Sequence, residues 1–130
     1  MLPLCKDQGI GVIPWSPLAR GFLAGGRGNP GEGNTERART DEFSPRLYYK
    51  APDHAVVDTL SSLARERGVS NMQLALAWVL KNPVITSPII GTSKAHHLDD
   101  ALAGLEIKLT DEEVKALEAA YEPKPVLDHA

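Results

Sequence analysis

Two short stretches carry side chains able to hold an anionic ligand. The first is residues 88–94, Pro-Ile-Ile-Gly-Thr-Ser-Lys, where an apolar run stops at Gly91, hydroxyls follow at Thr92 and Ser93, and Lys94 adds a positive charge. A helical pattern opens directly behind it, so the first backbone N–H groups of that helix face out of the bend. Those groups lack partners and sit at the positive end of the helix dipole, which favours an anion, a phosphate above all. A plainer reading is that Thr92 or Ser93 merely caps the helix. The second stretch is residues 16–21, Ser-Pro-Leu-Ala-Arg-Gly, a turn that sets a hydroxyl, an aliphatic group and a cation just beyond the apolar run 10–15. In a parallel sheet, open or closed, ligands sit at that C-terminal edge.

The elements that must position these groups follow from hydrophobic period and turn chemistry. Residues 2–8 read as the last turns of an amphipathic helix closed by Gly9. Residues 10–15 and 84–90 are compact apolar strands, the first carrying Pro14 near its end. Between Gly25 and Pro52 the composition shifts to Gly, Asn, Glu, Arg and Thr, giving a loop of residues 25–52. A loop of that length is a lid, a binding loop or a solvated mobile segment. Arg27, Arg37 and Arg39 charge it, and Phe43, Leu47, Tyr48 and Tyr49 could pin its far end.

Helices are expected from Asp53, as cap, to about Arg67 before Gly68; from a Ser70/Gln73 capping box to Lys81; behind Lys94; and from a Thr110/Glu113 capping box through Leu117. The second of these is apolar nearly all round, so Trp78 is expected in the core. The third should turn Leu98, Ala101, Leu102 and Leu105 inward. Pro123 and Pro125 end regular structure, leaving residues 122–130 as a tail. The order strand, loop, helix, helix, strand, helix, helix implies parallel β/α units with right-handed crossovers. Two strands alone would leave unpaired edges, so the chain reads as part of a larger barrel or sheet, prone to self-association through those edges.

Composition excludes several classes. The chain has 130 residues, enough for one domain, and a formal net charge of −3, with no basic field for nucleic acid or an anionic membrane. No apolar run approaches the ~20 residues of a membrane span, and the first residues lack the pattern of a signal peptide. The single cysteine, Cys5, excludes an internal disulfide and fits a reducing cytoplasm. His54, His96, His97 and His129 lack paired ligand spacing, so no metal site is expected.

The stretches Gly11-Val-Ile-Pro-Trp-Ser-Pro-Leu-Ala-Arg-Gly21 and Pro88-Ile-Ile-Gly-Thr-Ser-Lys94 strongly resemble the seventh and eighth strand–loop segments of the aldo-keto reductases. Residues 53–105 and 109–117 also follow the family pattern, so the likeness covers nearly the whole chain. Among the family's branches it looks like the bacterial-type and potassium-channel-β-subunit-like reductases, not the human steroid-reducing group. The resemblance implies an α/β fold: the C-terminal portion of a (β/α)8 TIM barrel, about strands 7 and 8 with their helices, binding NADP(H) across its C-terminal face.

In such enzymes the residue matching Trp15 stacks on the nicotinamide. Those matching Ser16, Leu18 and Arg20 line the pyrophosphate path, and Pro17 belongs to the same turn. The loop matching residues 25–52 folds over the cofactor, with Arg27 or Arg39 near phosphate. Gly91, Ser93 and His97, with Thr92 beside them, match residues at the adenosine 2′-phosphate and ribose, and Asp100 one near the adenine. Two positions depart from the pattern. Ala101 stands where many relatives carry an adenine-binding Asn, and His97 where they carry Gln or Arg; a neutral His adds a hydrogen bond but little charge.

A (β/α)8 barrel takes roughly 250 residues. The family's catalytic Asp, Tyr, Lys and His lie on early strands outside this match, and Tyr48, Tyr49 and Tyr121 do not stand in their context. The expectation is therefore a C-terminal half that grips the cofactor of a carbonyl-reducing enzyme and is inactive alone. The alternative is a non-catalytic remnant that binds nucleotide or another protein.

Overall fold

A computed structural model describes residues 1–25, 44–92 and 94–124. Six α-helices are found among them: α1 (Leu2–Asp7), α2 (Ser44–Leu47), α3 (Ala51–Arg67), α4 (Asn71–Leu80), α5 (Ala95–Ala103) and α6 (Asp111–Glu118). Two 3-10 turns, Ala19–Gly21 and Gly104–Glu106, complete the regular structure there. Arg27, Arg39, Ser93 and most of the expected 25–52 loop lie outside the described residues, as do 125–130 of the tail. The far end of that loop is already helical, in α2 and in the start of α3.

The helix ends follow local chemistry closely. Ser70 Oγ accepts from Gln73 N (3.2 Å) while Gln73 Oε1 accepts from Ser70 N (3.0 Å), and Thr110 and Glu113 repeat the exchange at α6. The start of α3 differs from expectation. Asp53 is not the cap but stands three residues inside, its carboxylate accepting from Lys50 N at 3.0 Å. Pro52 explains the earlier start, because its fixed φ and missing N–H suit the first turn. Gly68 ends α3 in the left-handed region (φ +66°), which brings Val69 N onto Ala64 O at 3.0 Å.

The core lies between α3, α4 and α6. Leu60, Ala64, Leu74, Ala75 and Leu117 form it, with Leu18, Leu23, Leu63, Val69, Ile107 and Leu109 packed around them. α5 joins through its small residues: Ala101 is buried, and a Cβ on buried Gly104 would stand 3.1 Å from the Gln73 carbonyl oxygen. The large residues of α5 and of the 3-10 turn behind it behave otherwise. Leu98, Leu102 and Leu105, expected inward, are 49%, 55% and 58% exposed. They occupy one stripe at i, i+4 and i+7, and α4 covers only the neighbouring stripe of small residues.

The two apolar runs lie side by side and parallel, as expected, but they do not form continuous strands. Isolated bridges join Val12 to Ile85 and Trp15 to Ile89. Three residue steps separate the bridged positions on the first run and four on the second, so one extra residue interrupts the ladder. Pro14 and Pro88 remove donors from the same short region. What remains is Val12 N to Val84 O (3.2 Å), Thr86 N to Val12 O (2.8 Å) and Ile89 N to Pro14 O (2.8 Å). Gly11 permits this approach, since a Cβ there would meet Thr86 Oγ1 at 2.5 Å.

Candidate cofactor site

Parallel pairing brings the ends of both runs, and the turns that follow, to one edge. The Trp15–Ile89 bridge fixes this juxtaposition, with Trp15 61% exposed. Behind Trp15 the chain enters a turn in which Ser16 (φ 52°), Ala19 (φ 49°) and Arg20 (φ 57°) all adopt the left-handed region. Such conformations cost about 1–3 kcal/mol each for residues with a Cβ and persist only where the surroundings over-determine them; they cluster at binding and catalytic sites. Backbone bonds hold the turn: Ala19 N to Ser16 O (2.9 Å), Gly21 N to Leu18 O (2.9 Å) and Phe22 N to Ala19 O (3.1 Å). Phe22, which follows, is 2% exposed.

On the second run, Gly91 and Thr92 are exposed, and a Cβ at Gly91 would meet nothing within 4 Å. Helix α5 begins with Lys94 as N-cap, and no side chain bonds into its first turn from that position. Thr92 is therefore not the capping residue. His97 is half-buried one turn in, its ring 4.4 Å from that of His96.

The expected site residues thus divide. Trp15, Ser16, Arg20, Gly91 and Thr92 belong to the shared edge and its two turns, and His97 stands in the first turn of the helix behind them. Leu18 packs against the core, and Pro17 lines a cavity on α3, α4 and α6. Asp100 Oδ1 accepts from Gln73 Nε2 at 3.3 Å, which engages its carboxylate with α4.

Sequence reasoning missed that cavity, of about 630 Å³, lined by Phe22, Tyr48, Trp78, Leu117 and Tyr121 among others. Trp78 corrects the expectation of a core residue: it is 42% exposed, and its Nε1 donates to Glu118 Oε1 at 3.0 Å. The signal was the indole N–H itself, which needs a partner and so favours a position where one end stays wet. Among the described residues no group of acids, histidines and cysteines could hold a metal ion, and no helix is long and apolar enough to cross a membrane.

The model of the aldo/keto reductase family matches residues 1–122. This chain belongs to the aldo/keto reductase family. It is similar to a putative aryl-alcohol dehydrogenase of Schizosaccharomyces pombe, at 41% identity over 97% of this chain and 35% of that protein. It is likewise similar to versiconal hemiacetal acetate reductase of Aspergillus parasiticus, at 38% identity over 97% of this chain and 36% of that protein. An uncharacterized oxidoreductase of Bacillus subtilis is 39% identical over 90% of this chain and 34% of its own length. The chain thus spans about a third of the curated relatives it matches.

Among solved structures, a thermostable aldo-keto reductase in complex with the inhibitor epalrestat matches with a TM-score of 0.60 and 24% identity, over 92% of this chain and 33% of that one. That likeness shows the fold. Aldo/keto reductases generally use NAD(P)H, and the shared edge of this chain fits such a group: an exposed indole face, hydroxyls, a guanidinium and open space over Gly91 stand on two adjoining turns.

Proposed function

We propose that this aldo/keto reductase chain is the C-terminal part of a (β/α)8 barrel, about strands 7 and 8, and that it holds NADP(H) for an enzyme reducing aldehydes or ketones. The observation that carries the reading is the Trp15–Ile89 bridge, which puts an exposed indole and both turns at one edge. Trp15 supports the nicotinamide ring, Ser16 and Arg20 meet the pyrophosphate, and Gly91, Thr92, Ser93 and His97 meet the 2′-phosphate and ribose. The same reading assigns Arg27 and Arg39, which lie outside the described residues, to phosphate. NADPH, when bound, supplies the hydride, while this chain's residues bind and orient it.

Within the family the reading favours the bacterial-type and potassium-channel-β-subunit-like branch. The names of several relatives, putative aryl-alcohol dehydrogenases, support an aryl alcohol–aldehyde pair as substrate class. The general acid belongs to the remainder of the barrel. Tyr48 and Tyr49 pack on Phe22 at 6.0 and 4.8 Å between ring centroids and serve the scaffold instead.

Fluorescence titration tests the cofactor assignment. Charge-assisted hydrogen bonds contribute about 1.5–3 kcal/mol, so NADPH is expected to bind about tenfold or more tightly than NADH. Both affinities are expected to be weak, because a third of a barrel supplies few walls. Equal affinity for the two nucleotides would sink the 2′-phosphate assignment.

A further inference from the structure

Lys124 lies beyond α6, yet its ammonium reaches back to the start of α3. Its Nζ donates to the Asp53 carboxylate at 2.6 Å and to the Leu47 carbonyl at 2.8 Å, and stands 5.7 Å from the centre of the Tyr48 ring. All three acceptors fall within residues 47–53. That span also carries the rings that enclose Phe22: Tyr48 stacks on it at 6.0 Å, Tyr49 meets it edge-on at 4.8 Å, and His54, just beyond, at 5.3 Å. Phe22 in turn follows the Ala19–Gly21 turn directly, bonding Ala19 O through its N–H. Residues 19–22 and 47–54 therefore meet around one buried ring, and Lys124 holds the second of these segments from outside.

An ordinary surface ion pair contributes little, because water screens it and two long side chains must be ordered. Here the Lys124 and Asp53 side chains are 31% and 17% exposed, and the same ammonium also holds a carbonyl and a ring face. Asp53 is itself fixed by accepting from Lys50 N. A clamp so tied acts on a segment, not on one partner.

We propose that Lys124 is a positioning residue for the turn behind Trp15. It clamps residues 47–53, whose rings seat Phe22 and so over-determine the left-handed backbone at Ser16, Ala19 and Arg20. Its effect on cofactor affinity rests on the function proposed above; its effect on the turn does not.

Native-state hydrogen exchange on the chain separates the two. Lys124→Met is expected to speed exchange of the Gly21, Phe22 and Leu23 amides about tenfold while amides inside α4 keep the parent rate. Lys124→Arg retains the charge and is expected to recover most of the protection. Asp53→Asn keeps an oxygen for Lys50 N–H but loses the ion pair, and is expected to reproduce the methionine variant. Unchanged turn amides, or equal acceleration throughout α4 as well, overturn the proposal. NADPH titration of the parent judges the cofactor reading separately. Where the parent binds, affinity weakened about threefold or more in Lys124→Met supports the link to the site, and unchanged affinity overturns it.

Discussion

Trp15 and Trp78 are both exposed tryptophans, and they call for opposite explanations. The Trp78 indole donates to Glu118 across a gap of 40 residues and closes one wall of a cavity. Trp15 stands 61% exposed beside the second apolar run, on the edge where both turns emerge. An exposed ring contributes little to folding, so Trp15→Ala is expected to change stability by about 0.5 kcal/mol or less. A stacked aromatic pair is worth about 0.5–1.5 kcal/mol, so the same variant is expected to weaken NADPH binding about two- to tenfold, with Trp15→Phe retaining most of it. Urea denaturation and nucleotide titration read the two effects apart. Loss of stability without loss of affinity would make Trp15 a scaffold residue.

At the scale of elements, the contact between α4 and α5 depends on two small residues. Gly104 has an ordinary helical φ of −62°, so its backbone does not need glycine. Space does: an added Cβ would stand 3.1 Å from the Gln73 carbonyl oxygen and 3.3 Å from the Gln73 Cα, both backbone atoms that cannot turn aside. Gly104→Ala is therefore expected to push α5 off α4 and cost about 1–3 kcal/mol in urea denaturation, despite alanine's better helix propensity. A variant as stable as the parent would mean that α5 packs more loosely than described. The separation would also strain the Gln73–Asp100 hydrogen bond that ties the two helices.

For the whole molecule, the exposed apolar side chains define the problem. Ile10, Ile13, Trp15 and Ile89 on the two runs, and Leu98, Leu102 and Leu105 on α5 and the 3-10 turn behind it, each present about half or more of their surface to solvent. Where such side chains adjoin, as at the bridged Trp15 and Ile89, exposed apolar surface marks an interface or an association hazard. The chain spans about a third of its curated relatives, so the remaining two thirds of a barrel are the proposed cover. The chain alone is expected to sediment as more than a monomer and to show no NADPH-dependent reduction of an aldehyde. Co-expression with the N-terminal two thirds of a close relative is expected to give a single soluble species that reduces one. A sharply unfolding monomer that gains nothing from the added part would argue for a self-sufficient module, the non-catalytic alternative.

What the sequence determined by itself is local. The capping boxes at Ser70/Gln73 and Thr110/Glu113 were legible because every partner lies within one turn, and Gly68 because a left-handed end needs no distant neighbour. Family membership was legible from residues 11–21 and 88–94, where several constrained residue types fall at fixed spacing. Tertiary structure decided whatever depends on which face meets which. It placed Trp78 at a cavity wall, Leu98, Leu102 and Leu105 outward and Leu18 against the core. It tied Lys124 to Asp53 across 71 residues, where no periodicity or spacing could announce the pair. It also broke the expected strands into isolated bridges, because a ladder needs matched register, and one extra residue between Ile85 and Ile89 removes it. Local rules specify where a helix starts and stops, whereas burial depends on neighbours supplied by the rest of the fold.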